Sequence, residues 1–119
     1  MNVQLFGTKK CSETRKAERW FKERRVTLHV VDLGQKGMAP GELRNVAARV
    51  GGFEALIDRE GKRYLDKGLK YAAPTGPRIE QALVDDPLLL RTPIVRAGGR
   101  ATVGYAPETW AEWLKDGLR

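Results

Sequence analysis

Residues 1–33 read MNVQLFGTKKCSETRKAERWFKERRVTLHVVDL, and this stretch decides the fold. Positions 2–6 alternate, with Val3 and Leu5 on one side, and the run stops at Gly7, as a short strand does. From 12 to 25 the period changes. Ala17, Trp20 and Phe21 stand at i, i+3 and i+4 on one helical face, and Ser12 sits where an N-cap belongs. VTLHVVDL, over 26–33, is β-branched and apolar and reads as a second strand. A strand, a helix and a strand within roughly 33 residues make one βαβ unit, which predicts parallel strands. The chain's single cysteine, Cys11, falls where the first strand hands over to the helix.

The rest of the chain extends this unit. Pro40 occupies a first helical position, and Leu43, Val46, Ala47 and Val50 follow at helical spacing until Gly51-Gly52. Phe53, Leu56 and Ile57 predict another short helix. Residues 60–77, EGKRYLDKGLKYAAPTGP, read as a loop or broken helix, and Ile79, Ala82 and Leu83 mark a helix over 77–85. RTPIVRAGGRATVGY, over 91–105, is a hairpin signal, two β-rich pieces around Ala-Gly-Gly-Arg. A last helix from about Pro107 carries Trp110, Trp113 and Leu114 as an apolar stripe, read as core. The order is βαβ, a helical insertion over about 38–87, then ββα. This predicts one α/β domain over 1–119 with a mixed four-stranded sheet.

Composition narrows the setting. The chain has 119 residues, 41% hydrophobic and 31% charged, ordinary for a soluble globular protein. That length supports a core without disulfide or zinc staples. No apolar run nears the roughly 20 residues of a membrane helix, and the N-terminus lacks a signal-peptide pattern. One cysteine excludes an internal disulfide, and one cysteine with one histidine, His29, argues against a zinc site. We expect the reducing cytoplasm, no metal and no tightly bound cofactor. Lys and Arg total 22 against 15 Asp and Glu, a net charge of +7. That balance favours anionic partners, but acids interrupt most basic runs, and a solvated basic surface explains the charge as well as a nucleic-acid site does.

The order βαβ…ββα, with a thiol just after the first strand, is the thioredoxin plan. Unpaired N–H groups and the dipole at a helix N-terminus stabilise a thiolate, the nucleophilic form. Lys9, Lys10 and Arg15 add positive charge nearby. The alternative is an inert buried cysteine, a common fate for a free thiol. Thioredoxins carry a second cysteine three residues on. Here the four residues are Cys11-Ser12-Glu13-Thr14, so a redox cycle needs an outside thiol, such as glutathione or a reducing partner. The plan also places a proline, often cis, before the third strand and facing the thiol. Thr92-Pro93-Ile94 fits, and Pro93 suits a strand's start because it cannot donate to the sheet.

Taken in order, FGTKKCSETRKAERWFKERRV, LHVVDL, PGELRNVAARVGGFEALIDREGKRY, PLLLRTPIVR and VGYAPETWAEWL resemble the arsenate reductase-like family, the ArsC and Spx group. The first and last segments are most similar to its small YffB-type branch. The resemblance implies a thioredoxin-like fold with a helical insertion and makes Cys11 the nucleophile. It matches Arg15 to a basic residue of the reductase's cysteine loop and Arg59 to the first of three oxyanion-binding arginines. The second is replaced by Thr92, unless Arg91 or Arg96 substitutes, and the third falls near Gly104. A strand neighbour faces the other way, which makes Arg91 a poor stand-in. Arsenate, a multiply charged oxyanion, needs several guanidinium forks, so these losses argue against arsenate reduction. The Spx-type C-x-x-C switch is missing as well.

Two functions follow as expectations. In the first, the chain is a monothiol oxidoreductase with a small thiol or anionic substrate. Cys11 is the thiolate nucleophile, stabilised by Lys10 and Arg15. Arg59, Lys9 and Arg91 hold an anion, and Thr92 and Pro93 shape a backbone platform. Glutathione is a co-substrate, or a glutaredoxin or thioredoxin-type protein is the reductant. In the second, the chain is a non-enzymatic, Spx-like binding protein that contacts RNA polymerase or another partner.

Overall fold

The computed structural model describes residues 2–66 and 77–117. Three elements form the predicted opening unit: β1 (Val3–Gly7), α1 (Ser12–Glu23) and β2 (Leu28–Asp32). β1 and β2 are parallel, with Val3 opposite Leu28 and Gly7 opposite Asp32. The helix ends two residues earlier than its pattern suggests, and Arg25 turns the chain at φ 59°. The second strand is correspondingly shorter than 26–33, and Val26 drops into the core instead of pairing.

The insertion begins with α2 (Pro40–Val50). Pro40 opens it, and the Glu42 carboxylate accepts from the Ala39 N–H at 3.1 Å, satisfying one donor at the helix start. Gly51 closes it at φ 99°, a left-handed cap that glycine adopts without strain. A 3₁₀ turn over Phe53–Leu56, α3 (Lys62–Asp66) and α4 (Pro77–Asp85) follow, with a second 3₁₀ turn over Pro87–Leu89. Part of the 60–77 segment lies outside the described residues. The chain then forms β3 (Ile94–Ala97), β4 (Arg100–Val103) and α5 (Pro107–Lys115). Gly98, at φ 60°, opens the tight turn between Ala97 and Arg100, as the Ala-Gly-Gly-Arg signal predicts.

The sheet order is β2-β1-β3-β4, with β3 antiparallel to both β1 and β4. Side chains alternate across it. Val3, Leu5, Val95 and Ala97 pack against Ala17, Trp20 and Phe21 of α1 and Trp110 and Trp113 of α5. On the other face, Phe6 and Ile94 meet Leu43, Val46, Leu56, Ile79, Leu83 and Leu89 from the insertion. The sheet is therefore covered on both sides, the layering of a thioredoxin-like fold with a helical insertion. The two central strands are buried on both faces. Their ends meet where Phe6 pairs with Ile94, and this junction sets Cys11 beside Thr92.

Candidate functional site

Cys11 is the N-cap of α1, with φ −79° and ψ 115°, and its N–H donates to the Thr8 carbonyl at 3.2 Å. The expected cap, Ser12, is instead the first helical residue. The displacement matters chemically. An N-cap side chain accepts hydrogen bonds from the N–H groups of the second and third helical residues. Here those are Glu13 and Thr14, so the sulfur stands where a serine or aspartate oxygen usually does. The turn in Gly7-Thr8-Lys9-Lys10, with Lys9 and Lys10 at its exposed tip, presents it there.

The thiol is half-buried. That partial burial pushes its pKa up, and hydrogen bonding to the thiolate more than offsets it. The Thr14 hydroxyl contributes most, then the Thr92 hydroxyl, then the backbone N–H groups of Thr14 and Glu13, and the net shift is below the ordinary thiol value. In the protonated form Sγ donates weakly to the Thr92 carbonyl oxygen at 3.8 Å. Thr92-Pro93 is a cis peptide bond, and Pro93 is buried against the start of β3.

Thr14 is the residue that sequence reasoning missed. It is buried, and its hydroxyl oxygen makes no hydrogen bond within the folded chain. Such a hydroxyl is costly unless something accepts its proton, and the Cys11 thiolate, whose pKa it lowers, is the acceptor at hand. Gly7 makes room for it. A Cβ at residue 7 would stand 2.5 Å from both Cγ2 and Oγ1 of Thr14. The available signal was spacing: Thr14 lies three residues after the thiol, in the place of the second cysteine of C-x-x-C. Replacing Thr14 with valine keeps the shape and removes the donor. We expect the Cys11 pKa to move upward and alkylation by iodoacetamide at neutral pH to slow several-fold. An unchanged pH profile of alkylation would refute the assignment.

The other sequence-selected residues divide into groups. Arg15 is exposed and its Nη1 donates to the Lys9 carbonyl at 3.2 Å, so it braces the turn ahead of the thiol. Lys10 is exposed on the same turn. Arg59 and Arg91 line one groove of about 310 Å³ with Ile57, Asp58 and Glu60. A short antiparallel pairing creates that groove. The Arg91 N–H donates to Leu56 at 2.7 Å and the Asp58 N–H to Leu89 at 2.9 Å, around an Ile57–Leu90 bridge. Strand alternation does not govern Arg91, because β3 begins only at Ile94. Among the described residues no group of three or more His, Cys, Asp or Glu side chains could hold a metal ion. No helix among them is long and apolar enough to cross a membrane.

Residues 6–113 match the profile of the ArsC family. The chain belongs to the ArsC family. Its similarity to single members is distant but runs nearly end to end. It is 29% identical to the uncharacterized protein YfgD of Escherichia coli over 108 residues, 89% of this chain and 91% of that one. It is 28% identical to an arsenate reductase of Neisseria meningitidis over 104 residues, 86% and 89% of the two chains. It is 25% identical to the global transcriptional regulator Spx 2 of Oceanobacillus iheyensis over 115 residues, 96% and 84% of the two chains. Among solved structures, a YffB protein superimposes with a TM-score of 0.80 at 28% identity, covering 92% of this chain and 96% of the other. ArsC relatives thus include both reductases and regulators, and the family alone does not choose between them.

Proposed function

We propose that this ArsC-family chain is a monothiol oxidoreductase whose nucleophile is the Cys11 thiolate. The carrying observation is the N-cap placement of Cys11, where the Thr14 hydroxyl and two backbone N–H groups lower its pKa despite partial burial. The thiolate attacks a disulfide sulfur. A new S–S bond forms to Cys11, the old S–S bond breaks, and the second sulfur leaves as a thiolate. Thr14 stands where a resolving cysteine would be, so a second thiol must release the product by the same exchange. Glutathione suits that role as a co-substrate, as does a glutaredoxin or thioredoxin-type partner, and the cytoplasm supplies such thiols. The Thr92 backbone beside Sγ offers an edge along which an extended disulfide substrate can lie.

The anion chemistry supports a thiol substrate over arsenate. By the family resemblance, Thr92 and the stretch around Gly104 stand in the places of two oxyanion arginines, and in the structure Asp58 and Glu60 share the groove with Arg59 and Arg91. A multiply charged oxyanion is poorly matched to that mixed lining. A second reading, a regulator that binds a partner such as RNA polymerase, draws on the similarity to Spx 2, which spans 96% of this chain. The two readings separate on one measurement. In the first, oxidised glutathione at neutral pH adds a single glutathionyl group to Cys11 and a second thiol removes it, both followed by intact-mass spectrometry. A Cys11 that stays unmodified, in a protein that co-purifies with polymerase, would favour the regulator.

A further inference from the structure

Further down α1 from the thiol, a separate groove of about 440 Å³ is lined by Lys16, Arg19, Trp20, Glu23, Arg24 and Tyr105. Its wall is aromatic. Tyr105, 40% exposed, meets Trp110 edge-on at 5.5 Å, and Trp110 lies 5.5 Å from Trp20. Arg24 sits over Trp20 with Cζ 3.9 Å from the ring centroid, and its Nη1 donates to the Trp20 carbonyl at 3.0 Å. Ring and hydrogen bond hold the guanidinium in place, and a held guanidinium is itself a platform on which a base can stack.

The groove's other polar groups are unengaged. Lys16, Arg19 and Glu23 are exposed, and among the described residues their side chains make no ion pair or hydrogen bond. They stand three and four residues apart on one face of the helix. Glu18, a nearby acid, is tied instead to Lys22 at 3.8 Å. Residues 9–25 hold eight of the 22 Lys and Arg but three of the 15 acids, so the field around the groove is positive.

This combination discriminates among anions. A bare phosphate uses the two cations and leaves the aromatic wall idle. An acidic peptide meets Glu23 as a like charge. A nucleotide uses every part. Its base stacks on Tyr105 and Arg24, its phosphate meets Lys16 and Arg19, and a base amino group donates to the Glu23 carboxylate. We infer that this groove binds one unpaired nucleotide, free or within a single strand, and prefers an amino-bearing base such as cytosine over thymine. Thymine offers only an imino N–H between two carbonyl oxygens, which repel the carboxylate. A duplex is excluded because its base faces are already stacked. The inference is independent of the thiol chemistry, and no bond is made or broken.

The test titrates the full chain with deoxycytidine monophosphate and with hexamers of deoxycytidine and of thymidine, followed by tryptophan and tyrosine fluorescence at low salt. The cytidine hexamer binds several-fold tighter than the thymidine hexamer, and Glu23→Gln removes that preference. Tyr105→Ala weakens the cytidine hexamer about tenfold, the loss of one stacked base, and Tyr105→Phe retains it. Lys16→Ala and Arg19→Ala each make the log–log salt slope shallower by about 0.7. A monophosphate that binds as tightly as the hexamer identifies a free nucleotide as the ligand, and a tighter hexamer identifies a strand. Either result supports the site. Failure of all three probes to bind overturns it. So does a Tyr105→Ala protein that binds both hexamers as the wild type does, since the charge alone then accounts for binding. Cys11→Ser binds like the wild type, which keeps this outcome separate from that of the thiol.

Discussion

Cys11→Ser loses thiol–disulfide exchange entirely, at least a thousandfold below the wild-type rate and down to the rate of free thiols in solution. Serine keeps the N-cap geometry and can accept from Glu13 and Thr14, so the fold is expected to survive. What disappears is the thiolate, since a serine hydroxyl stays protonated across the working pH range. The wild-type rate should follow the thiolate fraction, rising with pH through a midpoint below the ordinary thiol range. The same lowered pKa makes a stability statement. Between the folded and unfolded pKa values, the unfolded chain holds a proton on sulfur that the folded chain does not. Stability therefore rises with pH across that window, and the gain is lost as pH falls through the folded pKa. In Cys11→Ser both dependences vanish. A serine variant that kept glutathione-dependent turnover would sink the proposed function.

The fold was largely legible because its signals are local. The period shift between Val3–Gly7 and Ser12–Glu23, and the β-branched run to Asp32, each lie within a few residues. The hairpin was legible for the same reason: Ala-Gly-Gly-Arg supplies the turn that Gly98 makes at φ 60°. The helical cap was not, because Ser12 and Cys11 differ by one residue and only the backbone at Cys11 leaves the helical region.

The site was legible in its nucleophile and less so around it. Cys11 and Thr92-Pro93 were found from their order in the chain, and the structure brings them within 3.8 Å. Thr14 was missed because its role depends on a distant choice, the absence of a side chain at Gly7 across the strand end. Strand alternation marked Arg91 as a poor stand-in for the second arginine, though it stayed among the expected anion-binding residues. Its position depends instead on a single bridge between Ile57 and Leu90 and on the space above Gly104, neither of which leaves a periodic trace.

The second large effect concerns Trp110, which holds the site from behind. Its ring is fully buried and stacks among Trp20 at 5.5 Å, Phe21 at 4.9 Å and Tyr105 at 5.5 Å. Its indole N–H donates to the Thr102 hydroxyl at 2.8 Å, tying α5 to β4. Trp110→Ala removes an aromatic from the centre of the α1–α5 layer and leaves a cavity that flanking helices fill only in part. The expected cost is about 3–5 kcal/mol, a large share of the roughly 5–15 kcal/mol that stabilises a typical domain. Trp110→Phe keeps most of the apolar volume and should cost far less, chiefly the hydrogen bond. The consequence reaches the thiol because Trp20 and Phe21 belong to the helix that Cys11 caps. With α1 less firmly seated, Thr14 no longer holds its hydroxyl on the sulfur, and the Cys11 pKa climbs toward its ordinary value. Chemical denaturation and the pH profile of alkylation, measured on both variants, check the two halves. If Trp110→Ala shifted stability by under about 1 kcal/mol, the aromatic layer would not be what seats α1.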